Sequence, residues 1–390
     1  MNIRMYNCYF GDCFKIANDS GNDLLVDMGI HRFCATKKCR ENRFDEILSD
    51  LSDSTDFLLS HYHEDHYNGA VYISKNPHNF RFSDVYIPDI WNIKGSIEAI
   101  SLHLLRIILD RSIIKYGTTL FSFLKAICKS KSKIHFVQRG VEIQNNYIAL
   151  WPSEEYITNQ AEQILANIQN GENNRDIELL KEYAKKLRKI VLRIPSNITI
   201  ENGLIEQDYT ALITQIDQLE TEFHNTDWGF NRDNVSKSAI VDLRCFGNDI
   251  SIVFQNKNNN NDKNILFTGD FGDKEKPWLW NNLEMNYDNN PDCKMHSDYH
   301  VIKVGHHGTR NYYHSFFNRI NSKSFLLIPN GNKMNWKICS DYSSDVVNIN
   351  ANVVCSKDNA CEAKNCNNNH CICTKRTIID LKPNFFVDIK

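Results

Sequence analysis

The segment His61-Tyr62-His63-Glu64-Asp65-His66 gathers three imidazoles and a ligand-type carboxylate into six residues. Side chains two apart on a strand face the same way, so at a strand end His61 and His63 can grip one cation together. Where the chain then turns, Asp65 and His66 can address a neighbouring position. Imidazole nitrogen and carboxylate oxygen are donors that zinc accepts readily. The competing reading is a chance surface cluster of polar residues. Against it stand the apolar run Phe57-Leu58-Leu59 just before the segment and Asn68-Gly69 just after it, which seat the cluster where a buried strand emerges.

Two later segments repeat this logic. Thr268-Gly269-Asp270 follows the apolar run Ile265 to Phe267, and a carboxylate there could bridge two cations. Gly305-His306-His307-Gly308 follows Val301 to Val304, with glycines that allow close backbone approach. Taken singly, a Gly-Asp after a strand is an ordinary turn and a His pair is often structural. Three such strand ends in one chain are a stronger signal together.

The elements that must carry these residues follow from pattern. Ile3 to Phe14 reads as one β-prone run, Asn18 to Asn22 as a turn, and Leu24-Leu25-Val26 as a returning strand closed by Asp27 and Gly29. Residues 44–60 read as a helix and then a strand, and Tyr86-Ile87-Pro88 as a further short strand. Ser96 to Lys129 has helical spacing with an interruption at Gly117. Ile134 to Val137 and Tyr147 to Trp151 read as strands. Tyr209, Leu212, Ile213, Ile216, Leu219 and Phe223 share one helical face. Strands are expected at Ala239 to Leu243, Ile250 to Phe254, Ile265 to Phe267, Val301 to Val304 and Phe325 to Ile328. Residues 255–264, nearly all Asn, Lys and Asp, are expected as a hairpin loop. The expected organisation is a single α/β domain over 1–390, with a mostly helical insertion at 91–225 and a cysteine-rich segment at 339–390.

Composition sets the outer bounds. Apolar residues are 42% and charged residues 24% of the 390, as in ordinary globular chains, and a formal charge of −3 supplies no global attraction to nucleic acid or membrane. The apolar stretch Leu102 to Leu109 is too short to span a bilayer and holds His103 and Arg106. The opening residues lack the pattern of a signal peptide, so a cytoplasmic protein without membrane partner is expected. Of 13 cysteines, eight are scattered and five crowd near the end. Cys361, Cys366, Cys371 and Cys373, with His370 adjacent, are candidates for a small structural zinc site. Their spacing does not match paired C-x-x-C knuckles, and unligated loop thiols are the equal alternative.

The string HYHEDH resembles the H-x-H-x-D-H signature of the metallo-β-lactamase superfamily. FTGD and KVGHHG resemble its later acidic and histidine motifs. The wording is most similar to the branch containing the hydrolase domain of competence DNA-uptake (ComEC-like) proteins. Gly11-Asp12-Cys13 and Val26-Asp27-Met28-Gly29 match strands of that branch. Asn234 and Ser238 are the candidates for its Asn/Ser element. The likeness covers residues 1–90 and about 230–335. It implies a four-layered αβ/βα sandwich with metals at the edge of two sheets. It further implies that His61 and His63 hold one ion, that Asp65 and His66 hold a second, and that Asp270 lies between them. His307 is the preferred last ligand and His306 a neighbour that touches substrate or donates a proton; the reverse assignment stays open. No further histidine has strand-end context, so one ion or two are both compatible.

A divalent ion with an open position lowers the pKa of its water from ~15.7 towards ~7. Zinc is the expected metal and manganese the alternative. Asp65 or Asp270 could orient the nucleophile, so Asp65 and His306 are the candidate catalytic residues. Asp27 could hold a ligand histidine by a hydrogen bond. The resemblance favours a phosphodiesterase or nuclease acting on a nucleic acid or nucleotide. Two basic runs, Lys125, Lys129, Lys131 and Lys133 and then Lys181, Lys185, Lys186, Arg188 and Lys189, suit phosphate, although each alone reads as a solvated helix face. Tyr312, Tyr313, His314 and Ser315 could contact substrate or pack in the core. The alternatives are a lactone, amide or thioester hydrolase and a non-catalytic, metal-stabilised binding module.

Overall fold

The structure, a computed structural model, describes residues 2–355 except for short breaks, the longest at 111–116, 195–204, 315–324 and 330–351, together with Phe386–Ile389. It is an α/β fold with two seven-stranded mixed sheets. The first sheet has the order β14-β1-β2-β3-β4-β5-β6, from Phe386–Ile389, Asn2–Tyr6, Phe14–Ala17, Leu24–Val26, Asp56–Leu58, Asp84–Pro88 and Lys133–Val137. The second has the order β13-β12-β11-β10-β9-β8-β7, from Asn352–Cys355, Phe325–Ile328, Val301–Lys303, Ile265–Phe267, Val253–Asn256, Tyr147–Trp151 and Glu142–Ile143.

Alternation along the strands separates two cores. Met5, Phe14, Ile16, Leu24, Val26 and Leu58 of the first sheet share one buried cluster with Ala149, Phe254, Ile265, Phe267, Val301 and Leu327 of the second. Phe14 meets Phe267 edge to face with centroids 5.4 Å apart. Residues pointing the other way, such as Leu25, Phe57 and Val85 or Leu266, Ile302 and Leu326, join the larger cluster with helix side chains.

The α-helices among the described residues are α1 (Lys37–Leu48), α2 (Glu64–Lys75), α3 (Ser96–Leu109), α4 (Leu120–Ser130), α5 (Glu154–Gln169), α6 (Asn174–Val191), α7 (Ile205–Asn225), α8 (Lys237–Asp249) and α9 (Pro277–Glu284). The region 91–225 is rich in helix, as its periodicity predicts. It nevertheless also supplies β6, β7 and β8, and β6 pairs in parallel with β5 from Asp84↔Lys133 to Pro88↔Val137. Those strands belong to the two sheets, β6 to the first and β7 and β8 to the second. No helix among the described residues is long and apolar enough to cross a membrane.

Several sequence expectations need correction. Ala239 to Leu243 is helix, not strand. Ser236 caps α8 by accepting the Ala239 amide, and the buried positions Ala239, Leu243 and Phe246 recur at helical spacing while Val241 is exposed. The next strand accordingly starts at Val253 rather than Ile250. The helix expected from residue 44 starts at Lys37, because Thr36 caps it by accepting the Cys39 amide. The polar tract begins later than expected, since Gln255 and Asn256 still belong to β9 and the Gln255 carbonyl group of the side chain accepts from Tyr299 Oη at 2.6 Å. Ile3 to Phe14 is broken by a loop between β1 and β2, in which Tyr9 has φ 59° and Tyr6 N donates to Cys13 O at 3.1 Å.

Candidate metal centre

Strand direction brings the chemistry to one edge. β3 and β4 are parallel, so Asp27 after one and His61 after the other emerge together. β2 runs antiparallel to β3, which puts Asp12, just before β2, at the same end. In the second sheet β10 and β11 are parallel, so Asp270 and the His306-His307 pair emerge side by side.

Asp270 is 2% exposed, and its Oδ2 lies 3.4 Å from His66 Nε2, 3.7 Å from His307 Nε2 and 3.8 Å from His61 Nε2. These separations exceed ordinary N–H···O hydrogen bonds. Two donors bound about 2.0–2.1 Å from one tetrahedral zinc stand about 3.4 Å apart, so the spacing suits a shared cation. The Nε2 atoms of His61, His63, His66 and His307 are buried and make no hydrogen bond. Unpaired buried nitrogens are costly, and a cation would satisfy them. His61, His66 and Asp270 form one three-donor group, and Asp65, His66 and His307 form another, with the donor atoms of each group within 4.8 Å of one another.

His63 stands apart from both groups. β4 ends at Leu58 and the His63 amide bends back to donate to His61 O at 3.0 Å, so the strand alternation that would aim the two rings together has already ceased. The His63 ring instead meets His61 edge on, with centroids 4.5 Å apart. Its Nε2 reaches the backbone of α8, where a Cβ on Gly247 would lie 2.3 Å from it.

The histidines are held from behind. His66 Nδ1 donates to Asp27 Oδ2 at 2.8 Å, and Asp27 also accepts from Ser60 N and Ser60 Oγ, both at 2.7 Å. His61 Nδ1 lies 3.1 Å from the same Ser60 Oγ, whose proton is committed to Asp27. Both rings therefore carry a proton on Nδ1, which leaves Nε2 as the atom that faces the cluster. Asp27, read as a candidate partner of a ligand histidine, is the hydrogen-bond partner of His66.

Asp12 and Lys303 were not among the predicted site residues. Asp12 is fully buried, pairs with His307 Nδ1 at 2.9 Å and contacts Lys303 Nζ. Lys303 Nζ also donates to Gly269 O and lies 3.5 Å from Asp270 Oδ1. The signal for Lys303 was a charge inside the otherwise apolar run Val301 to Val304, which demands a buried partner. Asn234 lies outside the described residues. Ser238 is exposed on the first turn of α8, its hydroxyl 3.1 Å from Ser236 Oγ, and has no contact with the cluster among the described residues. The end of that helix supplies a contact instead: Asn248 Nδ2 donates to Tyr312 Oη at 2.8 Å. Cys361, Cys366, Cys371, Cys373 and His370 lie outside the described residues, as do Tyr313 and Ser315.

His306 differs from its neighbour. Its Nδ1 lies 2.7 Å from Thr309 Oγ1, its ring stacks on Tyr312 with centroids 4.1 Å apart, and its Nε2 is 3.9 Å from Asp270 Oδ2. His307 is fully buried, whereas His306 lines a cleft of about 570 Å³ with His63, Asp65, Asp270 and Tyr312. The basic runs lie elsewhere. Lys125 is paired with Asp217 and Glu220, and Lys186 with Glu222.

Electrostatics match this division. Burial would raise the Asp270 carboxyl, but His307 and His66 outweigh it and hold it well below the carboxylate range. Burial would lower His66, but Asp270 and Asp27 push it well up. His307, against the same burial, is raised to about 9 by Asp270 and Asp12. Burial and then His66 push His61 well down, and burial lowers His306 to about 4. A cation must displace the proton of His307 to bind it. His66, likewise raised, must give up a proton too, so metal uptake at neutral pH is expected to release protons, with affinity climbing about tenfold per pH unit for each proton displaced as the pH rises towards about 9. Calorimetric titration of zinc in buffers of different ionisation enthalpy measures this directly; uptake without proton release would contradict the arrangement.

Comparison of the chain with family models, with curated proteins and with solved structures gives no match.

Proposed function

We propose that this protein is a metal-dependent hydrolase of the metallo-β-lactamase type, acting on phosphodiesters of a nucleic acid or nucleotide. The observation that carries the reading is Asp270 Oδ2 standing 3.4–3.8 Å from three buried, hydrogen-bond-free imidazole nitrogens supplied by both sheets. The four-layered αβ/βα sandwich is the form of the fold we favour. It is supported by the apolar cluster shared between the sheets and by the helix side chains packed on their opposite faces.

When bound, zinc or manganese would polarise a phosphoryl oxygen and acidify water. The chain does the rest. His61, His66, Asp270, His307 and Asp65 would hold the ion or ions, with His63 beside them. Asp27 and Asp12 orient His66 and His307 through their Nδ1 atoms. Asp65, kept ionised by His307 and His66 against the effect of burial, can accept a hydrogen bond from an attacking water. His306, kept neutral by burial and turned into the cleft, can touch the leaving group. A cytoplasmic setting goes with this reading, the seven cysteines whose side chains the structure describes being free thiols.

The test is metal content measured beside turnover of bis(p-nitrophenyl) phosphate, a lactone and nitrocefin, each with chelator controls. Expected is chelator-sensitive cleavage of the diester. Cleavage of the lactone or nitrocefin alone would move the protein to carbonyl chemistry. A metal-loaded protein that cleaves none would be a metal-stabilised binding module.

A further inference from the structure

The cleft over the metal cluster has a cationic wall that the hydrolytic chemistry leaves unused. Three arginines line it: Arg32, Arg106 and Arg244. Arg32 is committed to structure, its guanidinium bridging Glu64 at 3.0 Å and Asp110 at 3.1 Å. Arg106 and Arg244 form no ion pair and no side-chain hydrogen bond with any described residue.

Their positions differ in kind. Arg106 comes from the last turn of α3, a helix whose other positions from Ala99 to Leu105 are buried. It is only partly exposed, and near enough to the cluster that it is the largest charge acting to lower the buried His63. Arg244 projects from the exposed face of α8, the helix whose backbone closes on His63. The two cations thus reach one cleft from different helices. The acidic groups that face it are already engaged: Glu64 and Asp110 by Arg32, and Asp65 and Asp270 within the cluster. The Arg106 guanidinium, desolvated by burial and without a hydrogen-bonded partner among the described residues, is costly unless a ligand supplies one, and the planar donor fork of each arginine fits phosphate oxygens.

We propose that Arg106 and Arg244 receive a phosphoryl group of the substrate beside the metal cluster, making this cleft selective for phosphate esters over neutral carbonyl substrates. The inference rests on the phosphodiesterase reading and assigns its substrate-recognition residues. Phe33, 61% exposed at the same cleft, supplies an apolar face for the organic part of such a substrate.

Binding of inorganic pyrophosphate to the full chain, by calorimetry after chelator treatment, isolates this site from any metal. Arg106→Gln and Arg244→Ala are each expected to weaken binding at least about tenfold, the size of a lost charged hydrogen bond. Arg106→Lys should recover part of the loss. In the metal-loaded protein the same variants should raise KM for bis(p-nitrophenyl) phosphate and leave metal content unchanged. Arg244 lies on an exposed helix face, so its variant tests the site even if Arg106→Gln folds poorly. Pyrophosphate binding that is absent, or equal in wild type and Arg244→Ala, overturns the proposal. Arginine-dependent binding without diester cleavage would sink the hydrolase reading and keep the anion site. Diester cleavage with KM untouched by either arginine would do the reverse.

Discussion

Asp270→Asn is expected to cost the protein its metal and on the order of a thousandfold in turnover, about 4 kcal/mol of barrier. The substitution keeps shape and volume at a side chain only 2% exposed, so packing is preserved and charge alone is lost. That charge is the shared neighbour of His61, His66 and His307, and it also faces Lys303. An amide nitrogen in place of Oδ2 would offer a cation no lone pair and leave the Lys303 ammonium facing one carboxylate fewer. Metal content of the purified variant by plasma emission spectroscopy, beside its diesterase rate, gives the answer. Full metal occupancy in Asp270→Asn would remove the centre of the proposed site.

Gly29→Ala is expected to damage the same centre without changing any ligand. A Cβ at Gly29 would stand 2.0 Å from the carbonyl carbon and oxygen of Asp65 and 2.4 Å from His66 N. These are backbone atoms, so no side chain can swing aside. The contact is tight because Gly29 N donates to Asp12 O, Met28 N to His66 O and Gly69 N to Met28 O. The loop after β3 is thereby laced to the loop carrying Asp12 and to the start of α2. One added methyl must part them by more than 1 Å. Misplacement of about that size costs roughly a hundredfold in rate, and overpacking of this kind costs about 1–3 kcal/mol or more of stability. Thermal unfolding and zinc affinity should both fall. Gly21→Ala, where a Cβ would meet nothing within 4 Å, is the control. Wild-type zinc affinity in Gly29→Ala would show that the three loops do not meet this closely.

Much of the candidate site could be read from sequence because its candidate donors follow short apolar strands, and a strand end is a local pattern. Asp65, His66, Asp270 and His307 come together from three such ends. His63 lies beside His61 but outside the three-donor groups, because the two-residue alternation stops at the end of β4, where the backbone already turns. Asp12 was missed because Ile3 to Phe14 looks continuous, whereas a loop there frees the carboxylate to reach His307. The Ala239 to Leu243 segment misled through its β-branched pair Ile240-Val241, which local propensity assigns to strand, whereas on the capped helix Val241 faces outward and Ile240 is partly buried. Arg106 shows locally only as a charge inside the apolar stretch Leu102 to Leu109. Its proximity to the cluster depends on how α3 packs against the rest of the fold, which no short stretch of sequence encodes.

The donors at this centre are divided between the two sheets: His61, Asp65 and His66 follow β4, while Asp270 and His307 follow β10 and β11. A cation gripped by both acts as a clasp across the seam, and neither half of the polypeptide can bind it fully alone. Occupancy would then track closure of the seam, and chelation should loosen the junction between the halves before it unravels either one.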